Sequence, residues 1–392
     1  MIAQVASGAR RLGFSSRSGN TAAEGSEGAA ARALRGGATS ASPARHAPTS
    51  PRRARDDGLA RATVPRMRAL VLAEVAALTA GAAAATLARR ATRGPRRPSW
   101  SLRTELVASA LRATVMRSKR RGIAWLREAQ AALPARIALA SEVAFEPARA
   151  GGVPALACAP RAGPAERTVL YLHGGGYVLG SAHAYRDLLA RLAVAARARV
   201  VAVDYRLAPE HPFPAQQEDA LSAARALLAE TPAARLALAG DSAGAALAVA
   251  TACALRDALE PLPAAAVLLC PWTEPFASGG SMDRNADADF ADREVLVAWA
   301  EATRGDPRDP RLAPGAADLA GLPPLLVQVG GAELLYDQAL RFVERARAAG
   351  VEVQLEDYAE MFHDFQLQAA LLPEGAAALE AAGRFLRARL PA

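Results

Sequence analysis

The chain contains little lysine, cysteine or histidine for its length of 392 residues. Lys119 is the single lysine, so the lysine that a phosphate-binding P-loop requires is not available beside the glycine-rich segments. The three cysteines, Cys158, Cys253 and Cys270, are odd in number and widely spaced. This spacing favours neither a disulfide framework nor a zinc site, so we predict buried, reduced thiols and no metal ion.

The formal net charge of +8 is distributed unevenly. Residues 1–100 carry 17 arginines against five acidic residues, a balance of +12, whereas residues 101–392 carry a balance of −4. A nucleic-acid-binding protein concentrates positive charge on its folded domain. Since the positive charge lies in the N-terminal part, we predict no nucleic-acid partner.

The N-terminal part divides into a polar tail and an apolar segment. Residues 1–66 are rich in Gly, Ser, Ala, Arg and Pro without an apolar period, which predicts a disordered tail, unless translation begins at Met67. The run 69–88 has membrane-spanning length, but Glu74 and its many alanines favour a soluble or surface-lying helix. We therefore predict an apolar helix and linker at 67–99 and a cytoplasmic protein, with membrane association through 69–88 as the alternative.

From residue 100 onward, helical and strand-like segments alternate. Two helical stretches come first, and apolar runs of strand length follow near residues 153–158, 168–172, 199–203, 235–239, 264–269 and 324–329. Helical segments lie near residues 184–197, 215–229, 243–258, 292–303 and 337–349. This alternation indicates an α/β fold, a doubly wound and mainly parallel sheet covered on both faces. We predict a helical cap at 100–150, with a possible contribution from 273–305, and a sheet domain at 151–392.

A serine stands in the glycine-flanked turn Gly240-Asp241-Ser242-Ala243-Gly244, between an apolar strand and an alanine-rich helix. In a nucleophile elbow such a serine has a strained backbone that presents its hydroxyl above the sheet, and small residues two positions away let the turn close. The helix N-terminus also favours negative charge there. A chance glycine-rich turn is the alternative, but the strand–turn–helix context favours a nucleophilic Ser242.

A second glycine-rich segment, His173–Tyr177, directly follows the strand predicted at 168–172 and is called the glycine loop below. Glycines let backbone N–H groups turn toward a ligand. We predict an oxyanion hole formed by the backbone N–H groups of Gly174, Gly175, Gly176 and Ala243. A dinucleotide-binding loop also follows a strand, but its last glycine would fall at Leu179. We further predict substrate contacts for Asp241 and for Tyr177, although Tyr177 fits a core position equally well.

With these two motifs, HGGG and GDSAG, the chain resembles the hormone-sensitive-lipase-like family of esterases in the α/β-hydrolase superfamily. The segment Asp204–Ala215, DYRLAPEHPFPA, resembles a third segment of that family, and Trp100–Arg103 with its following helices resembles the cap of bacterial members. The resemblance covers residues 100–390, with one departure at Ala245, where the family usually has glycine. The charged residues of the third segment are predicted to form an ion-pair network that braces the glycine loop, namely Asp204, Arg206 and Glu210.

The remaining members of a triad should follow the serine in the order acid, then histidine. His363 is the single histidine after Ser242, on a loop where the family places its catalytic histidine. The family's acid opens an acid-x-Leu-x-Asp pattern, and Glu333 occupies that first position instead of the usual aspartate. The second acid of the pattern, Asp337, is expected to cap the following helix.

The resemblance implies a serine hydrolase of short- to medium-chain acyl esters, with lactones and steryl acetates as further candidates. It implies a Ser242–His363–Glu333 triad, an acyl-enzyme intermediate and no cofactor, with the small-molecule ester as the predicted partner. Two alternatives stay open, a catalytically silent small-molecule-binding protein on the same fold and an amidase or peptidase using the same triad. The presence of all three triad residues argues against the first alternative.

Overall fold

The computed structural model describes residues 53–132, 139, 141–163, 165–276 and 278–391, with side chains from residue 68 onward. Residues 1–52 of the disordered tail that we predict at 1–66 lie outside the described ranges. Residues 53–66 are helical, as the beginning of the helix Arg53–Arg93, so the prediction of disorder is wrong for them. The alternative start at Met67 stays a prediction. Every predicted site residue falls within the described ranges.

A twisted sheet forms the centre of the part of the chain that the structure describes, and its strand order is β1-β2-β4-β3-β5-β6-β7-β8. The strands are Val143–Ala150 (β1), Val153–Pro160 (β2), Arg167–Leu172 (β3), Ala198–Val203 (β4), Leu236–Asp241 (β5), Ala265–Leu269 (β6), Leu325–Gly330 (β7) and Val353–Tyr358 (β8). β2 pairs antiparallel with both β1 and β4, and all remaining pairs are parallel. The predicted fold class is confirmed.

Helices cover both faces of this sheet. They are Arg53–Arg93 (α1), Leu102–Ala132 (α2), Arg186–Ala196 (α3), Ala215–Glu230 (α4), Ser242–Asp257 (α5), Ser281–Arg284 (α6), Arg293–Ala302 (α7), Tyr336–Ala348 (α8) and Pro373–Arg389 (α9). α3 and α9 bury their apolar side chains on one face, whereas α4, α5 and α8 pack on the other. Strands β5 and β7 are therefore buried throughout, which explains why apolar and small residues predominate in them, with Asp241 and Gln328 as the exceptions.

The helix predicted within 67–99 forms part of α1 and packs along α2. Val71 and Val75 are buried, and Glu74 accepts hydrogen bonds from Arg117 and Trp125 of α2. The segment Arg68–Arg93 is long and apolar enough to cross a membrane by length and composition, and 17% of its apolar window is buried. The side of this helix that packs on α2 therefore includes the Glu74 carboxylate, whose charge is balanced by hydrogen bonds from α2. Membrane association of the segment stays a prediction.

The sheet begins earlier than the domain boundary predicted at 150/151. All eight residues of β1 pair with β2, from Val143 opposite Pro160 to Ala150 opposite Val153. The residues before β1 supply the predicted helical layer, and the insertion between β6 and β7 joins it, since Lys119 of α2 pairs with Asp292. The site described below lies where these helices meet the carboxyl ends of the parallel strands.

Candidate active site

Ser242 occupies the predicted turn between β5 and α5 and has a backbone φ of 51°, in the left-handed region. A Cβ at Gly240 would lie 2.5 Å from the backbone of Gly244, and a Cβ at Gly244 would lie 2.0 Å from the Leu172 carbonyl oxygen. Both positions therefore require glycine for the turn to close against β3. The strained turn aims the Ser242 side chain away from the strand, as a nucleophile elbow requires.

The structure brings Ser242, His363 and Glu333 together from three loops at the ends of β5, β8 and β7. His363 Nε2 lies 2.9 Å from Ser242 Oγ, and His363 Nδ1 lies 2.9 Å from Glu333 Oε2. All three side chains are buried, with Ser242 6% exposed. This is the geometry in which an imidazole accepts the serine proton while a carboxylate orients the ring and stabilises its charged form.

The insertion between β6 and β7 fixes the acid and histidine loops. Asp289 accepts hydrogen bonds from the backbone N–H groups of Leu334, at 2.7 Å, and His363, at 3.2 Å. Asn285 donates to the backbone carbonyl oxygens of Gly331 and Glu333. Sequence reasoning did not identify Asp289 or Asn285. The available signal was a set of polar side chains in an insertion otherwise assigned to the cap.

Asp241 lies beneath the glycine loop, and its carboxylate contacts the protein instead of the substrate that we predict for it. Its carboxylate is fully buried and accepts hydrogen bonds from Tyr171 Oη, Tyr185 Oη and the Gly174 N–H, at 2.8, 2.8 and 2.9 Å. Burial raises the pKa of Asp241 to about 6, although these hydrogen bonds oppose the rise. Asp241 therefore holds the loop from below. The N–H of Gly174 is already engaged, so Gly174 cannot serve the oxyanion hole in this conformation.

Three predicted oxyanion donors remain available, the N–H groups of Gly175, Gly176 and Ala243. Gly175 and Gly176 have φ values of 106° and 61°, and within the described residues neither N–H has a protein acceptor. Ala243 lies in the first turn of α5, where backbone N–H groups have no intrahelical acceptor. A Cβ at Gly176 would lie 2.6 Å from the Trp299 ring, so only glycine fits beneath this indole.

Tyr177 forms an aromatic wall next to the nucleophile. Its ring stacks on Trp272 with centroids 6.3 Å apart, and the backbone N–H of Trp272 donates to the Ser242 carbonyl oxygen. Tyr177 is 2% exposed, and its hydroxyl has no hydrogen-bond partner among the described residues. The position is compatible with both predicted roles, a pocket wall and a core side chain.

Asp364 is a further carboxyl group at the histidine that the sequence did not single out. Its Oδ2 lies 3.3 Å from His363 Nε2, its Oδ1 has no partner among the described residues, and its backbone φ is 52°. Burial raises the pKa of Asp364 well above its ordinary value, an effect that the His363 charge opposes and the carboxylates of Asp241, Glu333 and Asp289 reinforce.

Burial and the neighbouring charges act on the pKa of His363 in opposite directions. Burial lowers the pKa of His363, but the negative charges of Asp364, Glu333 and Asp289 outweigh burial and raise it to about 10. The two groups therefore perturb each other: the Asp364 charge raises the pKa of His363, and the His363 charge lowers the pKa of Asp364.

The exchange Asp364→Asn should move the acidic limb of the kcat/KM profile to lower pH. His363 accepts the serine proton only while its imidazole is neutral, and a carboxylate at Nε2 favours the charged imidazole. An amide of similar shape removes this charge, so the neutral imidazole persists to lower pH. Profiles for p-nitrophenyl acetate from about pH 5 to pH 10 report the pKa of the free enzyme. An acidic limb at the same pH in both proteins would show that Asp364 is uncharged whenever the enzyme turns over.

Asp337 does not cap α8, because Leu335 occupies the N-cap position. Its carboxylate instead accepts a hydrogen bond from the Ser281 N–H at 2.8 Å and forms an ion pair with Arg284, which lowers the pKa of Asp337. Asp337 thus ties α6 of the insertion to the start of α8. The first turn of α8 favours a carboxylate, but the Asp337 carboxylate contacts α6 and does not cap α8.

The network predicted among Asp204, Arg206 and Glu210 is wrong. Asp204 accepts a hydrogen bond from the Ala182 N–H, Arg206 pairs with two acids of α4, and Glu210 pairs with Arg127 of α2. Each residue is therefore satisfied separately, and only the Glu210 pair reaches the glycine loop.

One group of potential metal ligands overlaps the triad. Cys270, Glu333 and His363 place ligand atoms within 4.8 Å of one another. Glu333 and His363 already contact each other, and burial raises the pKa of the Cys270 thiol well above its ordinary value, which disfavours the thiolate that a metal requires. The absence of a metal ion from the function stays a prediction.

Comparison with known proteins gives the same assignment as the site. A family model described as the α/β-hydrolase fold matches residues 169–367. The chain is 48% identical over 231 residues to an acetyl-hydrolase of Streptomyces hygroscopicus, covering 56% of this chain and 75% of that protein. It is 39% identical over 233 residues to the carboxylesterase NlhH of Mycobacterium tuberculosis, covering 56% and 72%.

Solved structures match a larger share of the chain than these two relatives do. An esterase from the bacterial hormone-sensitive lipase family superposes with a TM-score of 0.68 at 40% identity, covering 75% of this chain and all of that one. The chain therefore belongs to the α/β-hydrolase family and, within it, to the esterases related to hormone-sensitive lipase, which are hydrolases of carboxylic ester bonds.

Proposed function

We propose that this chain hydrolyses short-chain carboxylic esters through a Ser242–His363–Glu333 triad and an acyl-enzyme intermediate. The observation that carries the proposal is the continuous contact from Ser242 Oγ through the His363 ring to Glu333 Oε2, with 2.9 Å at each step. A small-molecule-binding protein does not require this alignment. The proposal needs no metal ion or cofactor.

In the proposed mechanism, His363 takes the proton of Ser242 as Ser242 Oγ attacks the ester carbonyl carbon. The negative charge that develops on the carbonyl oxygen is held by the N–H groups of Gly175, Gly176 and Ala243. His363 Nε2 then gives its proton to the leaving alcohol, which departs as the acyl-enzyme forms. Water, deprotonated by the same imidazole, attacks the acyl carbon and releases the acid. Glu333 stabilises the imidazolium in both halves of the reaction.

The aromatic residues around Ser242 favour a small acyl group. Trp272 and Tyr177 stand beside the nucleophile, and Trp299 covers Gly176, so bulky rings occupy the space next to the oxyanion donors. Two relatives are named acetyl-hydrolases. We therefore propose acetyl to butyryl esters as the preferred substrates, ahead of longer acyl chains, lactones and steryl acetates.

We assign the cap to α2 together with the insertion between β6 and β7, which the contact between Lys119 and Asp292 joins. Ser242 and His363 are 6% and 5% exposed, and we propose that these elements cover the site. The proposed partner is the ester alone, and we propose a cytoplasmic location, with α1 as the segment through which membrane contact would occur.

A p-nitrophenyl acyl series measured beside the matched anilides tests this proposal. We expect turnover of the acetyl, propionyl and butyryl esters, a decline with longer chains and no comparable turnover of the anilides, since amides are less reactive acyl donors. Binding of the esters without turnover would establish the silent small-molecule-binding protein instead. Equal rates on esters and anilides would establish the amidase.

A further inference from the structure

The second half of α2 is in contact with the glycine loop. α2 is interrupted at Gly122, where φ is 80° and ψ is 170°, and the helix continues to Ala132 in a new direction. After the interruption, Trp125, Leu126 and Ala129 are buried in the same core cluster as Tyr177 of the glycine loop and the next two residues, Val178 and Leu179. The first half of α2 packs on α1, whereas the second half contacts both α1, through Trp125, and the glycine loop.

Arg127 provides the polar contacts between this helix and the loop. Its Nε donates to the Val178 carbonyl oxygen at 2.7 Å, and its Nη2 donates to the Ala208 carbonyl oxygen at 2.6 Å. Both terminal nitrogens also donate to Glu210, at 2.8 and 3.0 Å. Nearby, Gln130 Oε1 accepts a hydrogen bond from the Gly180 N–H at 3.1 Å. One guanidinium therefore joins α2, the glycine loop and the segment after β4.

The turn that follows the glycine loop links these contacts to one oxyanion donor, the Gly176 N–H. The N–H groups of Val178 and Leu179 donate to the Gly175 carbonyl oxygen at 3.0 and 2.9 Å. That carbonyl belongs to the same planar peptide group as the Gly176 N–H, so fixing one fixes the other. The Ala208 N–H donates to the Tyr177 carbonyl oxygen at 2.9 Å, which holds the next residue of the loop. Arg127 thus restrains the turn at Val178 and the neighbouring segment at Ala208 together.

We infer that Arg127 is a positioning residue for the oxyanion hole, acting through the Val178 and Ala208 carbonyl groups. The inference rests on the proposed function, which assigns the glycine loop its role.

The ion pair with Glu210 is not the main contributor to this role. The Arg127 and Glu210 side chains are 27% and 58% exposed, and exposed ion pairs contribute about 0–1 kcal/mol. Glu210 instead orients the guanidinium, whose planar fork reaches both carbonyl groups at once. A lysine ammonium lacks that fork.

Replacing Arg127 with methionine should lower kcat by about 10–100-fold and change KM by less than about 3-fold. Loss of one complete oxyanion donor costs about 10²–10³ in kcat, and a displaced donor should cost less. A trifluoromethyl ketone, which forms a tetrahedral adduct with the serine, should lose affinity by the same factor as kcat/KM. Arg127→Lys should fall between the wild type and Arg127→Met, and Glu210→Gln should have a smaller effect than either.

The matched control is Arg117→Met, on the same helix and 34% exposed, whose partner is Glu74 of α1. This variant removes an arginine from α2 without touching the loop, so kcat and ketone affinity should stay at the wild-type values even if the melting temperature falls. An unchanged kcat in folded Arg127→Met, or equal losses in Arg127→Met and Arg117→Met, would overturn the inference. If Arg127→Met does not fold, an Arg127→Lys variant with wild-type kcat and ketone affinity would overturn it.

The wild-type protein separates this inference from the proposed function. A wild type that neither hydrolyses p-nitrophenyl acetate nor binds the ketone would contradict the proposed function itself. A wild type active in both assays, with Arg127→Lys and Arg127→Met equal to it, would contradict only the role of Arg127.

Discussion

Replacing Ser242 with alanine should abolish covalent labelling by a fluorophosphonate and lower kcat for short esters by about 10⁴-fold or more. Loss of the nucleophile in a serine protease costs about 10⁶ in kcat, and only the oxyanion hole and substrate binding then remain. The hydroxyl of Ser242 contacts His363 in the structure, and alanine removes it without adding volume. The folded structure should therefore survive, with a melting temperature close to that of the wild type.

Mass spectrometry of the intact protein and of its peptides measures this result directly. The wild type should gain one probe adduct, on the peptide that contains Ser242, and Ser242→Ala should gain none. Ser222→Ala is the matched control, because Ser222 lies on α4 and donates to the Gly151 carbonyl oxygen, away from the triad. Undiminished labelling of Ser242→Ala would place the nucleophile at another residue.

The central strands could be predicted because burial on both faces leaves a simple sequence pattern. Apolar and small residues predominate in β3, β5 and β7, and their observed bounds differ from the predicted bounds by at most two residues. β1 was missed because it lies at the sheet edge and contains Glu146 and Pro147, so its half-exposed sequence resembles a connection. An edge strand obtains its partner from tertiary structure, which a local pattern does not contain.

The site shows the same division between local and long-range information. The glycine-flanked turn at Ser242 and the loop at Gly175 are local motifs, and their backbone requirements are visible in the sequence. Asp289 and Arg127 act on residues 74 and 51 positions away, so no local spacing indicates them. The predicted substrate contact of Asp241 is wrong for the same reason. The tyrosine hydroxyls that turn it under the loop belong to segments 70 and 56 residues away.

Replacing Glu333 with glutamine should lower kcat by about 10²–10⁴-fold, by comparison with the amide replacement of the triad acid in a serine protease. The Glu333 side chain is fully buried, and its Oε2 lies 2.9 Å from His363 Nδ1. Glutamine preserves this shape but removes the negative charge that stabilises the imidazolium. The amide can also hold the wrong tautomer of the ring. KM for short esters should change little, since Glu333 is shielded from substrate by the histidine.

Asp337→Asn is the matched control, because both acids follow β7 and lie four residues apart. Asp337 contacts the Ser281 N–H and Arg284 and is not in contact with His363. Asparagine still accepts the backbone hydrogen bond and loses only a partly exposed ion pair, which costs about 1 kcal/mol or less. Its kcat should equal that of the wild type, with a small decrease in melting temperature. An inactive Asp337→Asn beside an active Glu333→Gln would instead remove Glu333 from the triad and show that Asp337 reaches the histidine during turnover.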